Sequence, residues 1–535
     1  MKERLFKGTG RLIKLLFRQN RLKIILWIAC LVGITIATAS AYGSVYKTAE
    51  DIYGYAVTMS NPAMKAMLGP GYEMEHYSIG TILASEMLLF TTVAVAVMNI
   101  LLVSSGTRND EEEGRLEMVL SLPTGRLAYL AATGILIIAV NLLLVLLIGI
   151  GLASIGEESF TWESSFLYGA VLGAAGLFFA GLTALFAQLS NTSRGTVGLS
   201  IGLLIAAYIL RAIGDVEIEP ISLFSPLGWA VRTEVFAGNK WWPVFALLAG
   251  GTVLTAASLY FNVNRDIYAG ILPARKGRAY ALGYLKTPLG LIWRLERINL
   301  ISWALGIFLL SAAFGAVLKD LENYFSDMEF LRAFFTDNGK ISMTDQFINL
   351  LFRIMSIFSA VPAVSTVLKL RKMESLGYAE NIYSRAVSRN QMLGSTCVIS
   401  FLAAAVMQAC IGLGLYLSSQ SLANQSLELG NTLSSALVYM PALMVVIGLA
   451  VLLVGLWPRS AGFIWLYVVF TFSVVYLSKL LHFPEWLNGL SPFHHIPQLP
   501  HDEINWWMLS GLSLLAVLLS LIGFVGYNKR DIQSG

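Results

Sequence analysis

The sequence predicts an all-α polytopic membrane protein: twelve transmembrane helices forming two tandem, parallel six-helix repeats related by a pseudo-two-fold axis. Three observations carry this expectation. Apolar residues fill 56% of the 535 positions and charged residues only 13%, against the roughly 25% charge of an ordinary soluble chain. Runs of about 20 apolar residues, the length a helix needs to cross the hydrocarbon core, recur along the whole chain. A series of matching residues returns at nearly constant separation. With a mean hydropathy of +0.68, a fold of this size lacks the polar surface to cover itself in water. That excludes a soluble multidomain enzyme, a coiled coil, a collagen and a disordered chain.

The first six spans fall near 24–42, 81–103, 127–155, 166–186, 195–212 and 244–261. The second six fall near 298–317, 346–368, 392–417, 436–456, 461–477 and 507–526. Barrel strands are shorter and alternate in polarity, whereas these runs are long and uniformly apolar. Residues 1–23 carry eight Lys/Arg and one acid, with Leu12, Leu15 and Leu16 at helical spacing. They read as an amphipathic helix lying on the membrane surface before the first span. No small-residue cleavage site follows, so a removed signal peptide is not expected.

Orientation follows from the Lys/Arg bias. Residues 265–297 add seven bases against two acids, whereas 156–165 hold Glu157, Glu158 and Glu163 without a base, and 418–435 hold only Glu428. Both termini are expected in the cytoplasm, with six crossings per half; an even number makes the halves parallel rather than inverted. The net charge of +4 belongs to this bias, and no nucleic-acid partner is expected. Cys30, Cys397 and Cys410 are isolated in apolar stretches and suggest neither a disulfide framework nor a metal site.

Five matched segments define the repeat. Arg18, Arg21 and Trp27 recur as Arg294, Arg297 and Trp303, 276 positions on. Arg108, Glu111, Gly114, Glu117, Ser121 and Arg126 recur as Arg371, Glu374, Gly377, Glu380, Ser384 and Arg389, every pair 263 apart. Arg194 matches Arg459 at 265; Ser225-Pro226 matches Ser491-Pro492 at 266; Trp241-Trp242 matches Trp506-Trp507 at 265; and Arg265-Asp266-Ile267 matches Arg530-Asp531-Ile532 at 265. The expected organisation is a first six-span repeat over 1–265, a linker over 266–287 and a second repeat over 288–535.

The best-matched segments are the loops after the second span of each half. Residues 108–126 read RNDEEEGRLEMVLSLPTGR. Glu111, Glu112 and Glu113 sit where acids suit a helix dipole, and Leu116, Val119 and Leu120 give a short apolar face. Residues 371–389 read RKMESLGYAENIYSRAVSR. A short charged helix with one apolar face suits docking into a partner's groove. The plainer reading is a solvated connector, but the loop is retained between copies although no membrane constraint acts on it.

EEEGRLEMVLSLPTGR, the amphipathic opening helix and the Ser-Pro segment before the last span resemble type-2 ABC exporter permeases. The fused two-copy layout is similar to the tetronasin-type exporters of polyketide and ionophore antibiotics. The resemblance spans essentially the whole chain; its most specific part is the charged loop. It implies a transport subunit, not an enzyme, in a bacterial cytoplasmic membrane. The loop of each half would act as a coupling helix, with Arg108, Glu111, Glu113, Gly114, Glu117 and Arg126 in one and Arg371, Glu374, Gly377, Glu380 and Arg389 in the other. Short, partly re-entrant helices are implied over 221–242 and 487–507. The second copy departs from the pattern: Ala386-Val387-Ser388 replaces Pro123-Thr124-Gly125, and Glu374 alone replaces three acids, which makes the two docking loops unequal. No Gly-Lys-Ser/Thr occurs, so no P-loop cradles phosphates in this chain. The implied partners are two copies of a separate ABC ATPase carrying ATP and Mg, the lipid bilayer, and a hydrophobic small-molecule substrate. The chain itself is expected to hold no cofactor, metal or catalytic residue.

Two charges lie within spans. Glu86 and Arg353 occupy the second span of each half, where charge is costly. A substrate or gating role, a structural pair and snorkelling to the outer interface all remain open. Asn99, Asn141 and Gln408 read as interhelical hydrogen-bond formers. His494, His495, His501, Asp502 and Glu503 read as a solvated outer loop rather than a metal site. The outer loops 43–80 and 318–345 are expected to form small helices capping the outer mouth. Rival readings are a proton-coupled secondary transporter, a membrane enzyme acting on lipid-linked substrates, and a sensor built on a permease scaffold. Against the first, the loop after the second span lacks the Gly-x-x-x-Asp-Arg-x-Gly-Arg-Arg pattern of major facilitators.

Overall fold

In a computed structural model of the chain, every regular element among the described residues is helical. The structure describes residues 5–60, 62–266, 269–272, 279–317, 343–420, 427–481, 484–499, 502 and 504–531. Outside them fall Arg275, Lys276, Gly277 and Arg278 of the linker, Ile267 and Ile532 of the repeat, His501 and Glu503, and most of the second outer loop. Twelve helices among the described residues are long and apolar enough to cross a membrane. The chain divides into two compact units, Met1–Gly277 and Arg278–Gly535.

The first unit holds α1 (Thr9–Val45), α2 (Ile79–Glu112), α3 (Ala128–Ala153), α4 (Trp162–Leu189), α5 (Ser193–Val216) and α6 (Trp242–Asn264). The second holds α7 (Pro288–Val317), α8 (Met343–Ser375), α9 (Arg389–Ser419), α10 (Leu429–Leu456), α11 (Pro458–Val475) and α12 (Trp506–Lys529). In each unit the first span packs on the third and the fourth packs on the sixth.

The amphipathic segment differs from expectation. It is not a separate surface helix, because α1 runs from Thr9 to Val45 without a break. No proline interrupts it, and one buried stripe serves both parts: Leu12, Leu16, Asn20, Ile24, Ile28, Leu31, Thr35 and Ala39 recur about one turn apart. At 1.5 Å per residue the helix is about 55 Å long, well beyond a hydrocarbon core of about 30 Å. α7 likewise runs unbroken from Pro288.

Small residues let the fourth and sixth spans touch. A Cβ on Gly181 would lie 2.6 Å from the Gly251 carbonyl oxygen, and one on Gly455 would lie 2.1 Å from that of Gly523. Lipid supplies no hydrophobic drive between helices, so backbone-to-backbone approach of this kind holds such pairs together. In α2 two buried amides meet at the third span: Asn99 Nδ2 donates to Asn141 Oδ1 at 3.2 Å and Asn141 Nδ2 to Asn99 Oδ1 at 2.7 Å. In the second unit Gln408 of α9 bonds Ser356 and Ser359 of α8 at 3.1 and 3.0 Å.

Short helices fill the connections. Ala49–Met59, Pro62–Leu68 and Met74–His76 follow α1. Glu219–Ser222 and Pro226–Val231 lie between α5 and α6, and Glu485–Gly489 and Pro492–His495 between α11 and α12. Ser225 fixes one of these: its Oγ donates to the Ala207 carbonyl at 2.6 Å and accepts from Leu227 N at 3.2 Å.

Replacing Gly455 with Leu forces a side chain into the Gly523 backbone and costs on the order of 1–3 kcal/mol or more. The expected outcome is a lower melting temperature and loss of the monodisperse peak in detergent, whereas Gly511→Ala, whose Cβ meets nothing within 4 Å, leaves both unchanged.

Candidate functional site

The charged loop after α2 is built around a left-handed glycine. Helical geometry ends at Glu112; Gly114 takes φ 75°, and a new short helix, Arg115–Leu120, sets off in another direction. Gly377, at φ 71°, does the same before Tyr378–Tyr383. An L side chain is strained at such φ values, which accounts for glycine at this place in both loops.

The base of each short helix is fixed by a buried carboxylate. Glu111 is 2% exposed. Its Oε2 lies 3.0 Å from Arg108 Nη1 and 2.6 Å from Arg265 Nη2, and Arg265 Nη1 donates to its Oε1 at 2.8 Å. Arg265 comes from just beyond α6, so this bidentate pair ties the end of the second span to the end of the sixth. Gln188 at the end of α4 joins them, its Oε1 accepting from Arg265 Nε at 2.7 Å and Asn262 Nδ2 at 3.0 Å. Arg126 completes the tie from the start of α3. It donates to the Asn262 carbonyl at 3.2 and 3.0 Å and to that of Arg265, carbonyls left open at a helix end.

In the second unit Glu374, fully buried, accepts from Arg530 Nη2 at 2.7 Å and from the Tyr527 hydroxyl at 2.6 Å. Arg389 donates to the carbonyls of Tyr527, Asn528 and Arg530 at 3.4, 3.2 and 2.6 Å. The Tyr383 hydroxyl of the short helix sits 2.6 Å from that of Tyr527, and burial raises the Tyr383 pKa above the usual phenol range. Arg371 Nε donates to the Pro458 carbonyl at 3.2 Å. The carboxylate, the arginine after the last span and the arginine before the third are therefore placed alike in both units. Their remaining partners differ: Gln188 and Arg108 in the first, Tyr527 in the second.

The rest of the first short helix is fastened by its own acids. Asp110 Oδ1 accepts from Arg115 Nε at 2.7 Å, its Oδ2 receives the Tyr129 hydroxyl, and Glu113 pairs with Arg115 at 2.7 Å. Glu112 accepts from Ser193 N at the start of α5 at 2.9 Å. Residues ahead of α1 are joined as well: Gly125 N donates to the Lys7 carbonyl at 2.9 Å and Leu127 N to that of Leu5 at 3.0 Å. Leu116 and Val119 pack onto the core of the unit. Glu117, Met118, Ser121 and Leu122 face outward, and the corresponding residues of the second unit are Glu380, Asn381, Ser384 and Arg385, all exposed. The site residues thus separate into a clamp closed around two buried carboxylates (Arg108, Glu111, Arg126, Arg265 and Glu374, Arg389, Arg530) and an exposed face carrying Glu117 and Glu380.

The profile of the family "Multidrug efflux system permease Rv1217c, C-terminal domain" matches residues 11–261 and 285–528. The chain is 30% identical over 534 residues, 99% of its length and 96% of the relative's, to the multidrug efflux system permease protein Rv1217c of Mycobacterium tuberculosis (strain ATCC 25618 / H37Rv). The chain belongs to this family of multidrug efflux permeases. With its twelve apolar helices, it is a multi-pass membrane protein.

The two charges within the spans of this permease have local partners. Glu86 lies on a widened turn of α2, Ala84–Leu88, of the kind often found at functional sites. It accepts from the Tyr42 hydroxyl and lies against that of Tyr46. These begin a chain of edge-to-face rings, Tyr42, Tyr46, Tyr55, Tyr77 and Tyr72, with centroids 5.5–6.0 Å apart. Arg353 faces Tyr439 and His494. Burial, followed by the neighbouring His495 and Arg353, lowers the His494 pKa below the usual imidazole range. His495 bonds the Gly489 carbonyl at 2.8 Å, and Asp502 accepts from Gln498 N at 2.7 Å.

Two further ion pairs, each within spanning helices, escaped the sequence reading. Arg211 and Asp215 on α5, both buried, pair at 3.2 Å, and Arg211 Nη2 donates to the Ala66 carbonyl at 2.6 Å, capping the end of Pro62–Leu68. Their i, i+4 spacing within an apolar run was the available signal. Lys369 of α8 pairs with buried Glu296 of α7, whose companions 276 and 263 positions earlier, Asn20 and Gly106, line a small pocket instead.

Glu111→Ala leaves Arg265 without its buried partner, a loss of roughly 3–5 kcal/mol. Glu117→Ala, on the exposed face, is expected to change stability by under about 0.5 kcal/mol. Thermal unfolding of the purified variants, followed by tryptophan fluorescence, checks the contrast.

Proposed function

We propose that the chain is the transmembrane subunit of a type-2 ABC exporter of the tetronasin type, moving hydrophobic or amphipathic compounds, antibiotics among them, out of the cell. Two copies of a separate ATPase, each with ATP and Mg, dock on the short helices Arg115–Leu120 and Tyr378–Tyr383. Both termini lie in the cytoplasm of a bacterial cell, and residues 1–265 and 288–535 are two copies of one six-span unit joined by 266–287. One observation carries the reading. In each unit a helix released by a left-handed glycine is clamped at its base to the last span, while its other face stays open. That is the arrangement needed to turn a push on a docking helix into movement of the spans. One family profile fitting two stretches supports the repeat, as does the recurring clamp. The drug-efflux name of the relative supports the cargo class.

The two docking faces are unlike. Met118 and Leu122 make the first apolar beside Glu117, whereas Asn381 and Arg385 make the second polar beside Glu380. An identical pair of ATPases would therefore meet two different contacts.

The test is reconstitution of the permease with a stand-alone ABC ATPase from the same genome. Wild type is expected to co-purify with that ATPase and to show drug-stimulated hydrolysis. Glu117→Arg plus Glu380→Arg is expected to unfold at the wild-type temperature yet lose about 90% of the stimulation, equal to about 1.4 kcal/mol of coupling. Transport that follows a proton gradient with no ATPase bound would replace this reading with the secondary-transporter one.

A further inference from the structure

In the second span of the second unit, buried hydrogen-bond donors have no partner among the described residues. Asn349 is 5% exposed, and its Nδ2 has no partner among the described residues. One turn further along the same face, Arg353 has its Nε buried and equally unmatched. Its guanidinium faces the Tyr439 hydroxyl and the His494 ring. Among the described residues no carboxylate forms an ion pair with it. Asp502, which acts on Tyr439 from nearby, is engaged with the backbone of Gln498. Arg353 lies about 24 Å along α8 from Lys369, too deep to be explained by charges at that end of the helix.

An unmatched buried donor costs about 1–3 kcal/mol, and more beside a charge. A guanidinium met, among the described residues, by a hydroxyl and an imidazole rather than a paired carboxylate, beside an amide Nδ2 without a partner, forms a site short of negative charge. The companion position in the first unit is resolved the opposite way. There Glu86 stands where the second unit has Asn349, Phe90 stands where it has Arg353, and Glu86 is supplied with tyrosine hydroxyls. One unit has an acid closed by its own donors; in the other, no acid among the described residues pairs with the donors.

We infer that Arg353 and Asn349 bind the acid group, carboxylate or phosphate, of an amphiphilic ligand whose apolar body stays in the membrane. Arg353 supplies the paired N–H groups that match a planar carboxylate or a phosphate edge, and Asn349 Nδ2 supplies one more donor. With the proposed export function, on which the reading of the ligand as cargo rests, the site selects anionic amphiphiles over their neutral esters.

Full-length permease in phosphatidylcholine nanodiscs is titrated with 11-(dansylamino)undecanoic acid and with its methyl ester. Energy transfer from tryptophan reports binding. The acid is expected to bind about tenfold more tightly than the ester. Arg353→Gln is expected to remove that preference without weakening the ester, Arg353→Lys to keep part of it, and Asn349→Ala to reduce it less. Native mass spectrometry separates the two sources of the acid group. A phospholipid held by wild type, released by the probe and missing from Arg353→Gln identifies a lipid headgroup; its absence leaves the cargo carboxylate. Equal binding of acid and ester, or a preference unchanged in folded Arg353→Gln and Asn349→Ala, overturns the inference. The titration needs no ATPase, so it can fail while ATPase coupling succeeds, and the reverse.

Discussion

A carboxylate sealed at the end of a membrane helix must be paired, and that requirement organises each unit. Glu111 and Glu374 are withdrawn from water, where an unpaired charge costs several kcal/mol. Each is met by an arginine lying just beyond the last span, Arg265 or Arg530. Because the carboxylate and arginine are more than 150 residues apart, the pair closes the unit on itself. The third span joins through Arg126 or Arg389, which bond the carbonyls at the end of the last helix. The short helices project from this knot, so their bases are rigid and only their outer faces are available to a partner.

The same constraint separates residues that look alike in sequence. Glu111 and Glu117 are both acids of one charged loop, six positions apart. The left-handed turn at Gly114 sends them to different environments, one to the clamp and one to the surface. A substitution in this loop therefore acts either on stability or on docking, according to the side of the glycine on which it falls. Glu112 and Asp110 belong with the clamp side, since they hold the start of α5 and the hydroxyl of Tyr129.

Most of the architecture was legible from the apolar runs, because a run of about 20 residues has no alternative to a helix in lipid. The charged opening segment was legible only in part. Its bases mask an apolar stripe that continues through Ile24 and Ile28, so a surface helix was expected where the structure has one long helix. The short loop helices were legible from their apolar faces, but their starts were not: Glu111 and Glu112, read as opening the loop helix, end α2 instead, and the new helix begins only after Gly114. The clamp was not legible: Arg265 and Arg530 served only as markers of the repeat, and nothing local says which acid they reach. Glu86 was visible as an intramembrane charge, but its tyrosine partners belong to α1 and the residues after it. Arg211 was hidden because a lone pair one turn apart hardly changes the hydropathy of its run.

The central claim is that clamp, short helix and last span move as one body. Hydrogen exchange in the purified permease tests it most directly, comparing wild type with Arg265→Gln. The account predicts that residues 115–120 and 265–272 lose protection together, since the variant removes the ion pair that joins Glu111, at the base of the short helix, to the end of the last span. Faster exchange confined to 265–272, with 115–120 protected as in wild type, would contradict it.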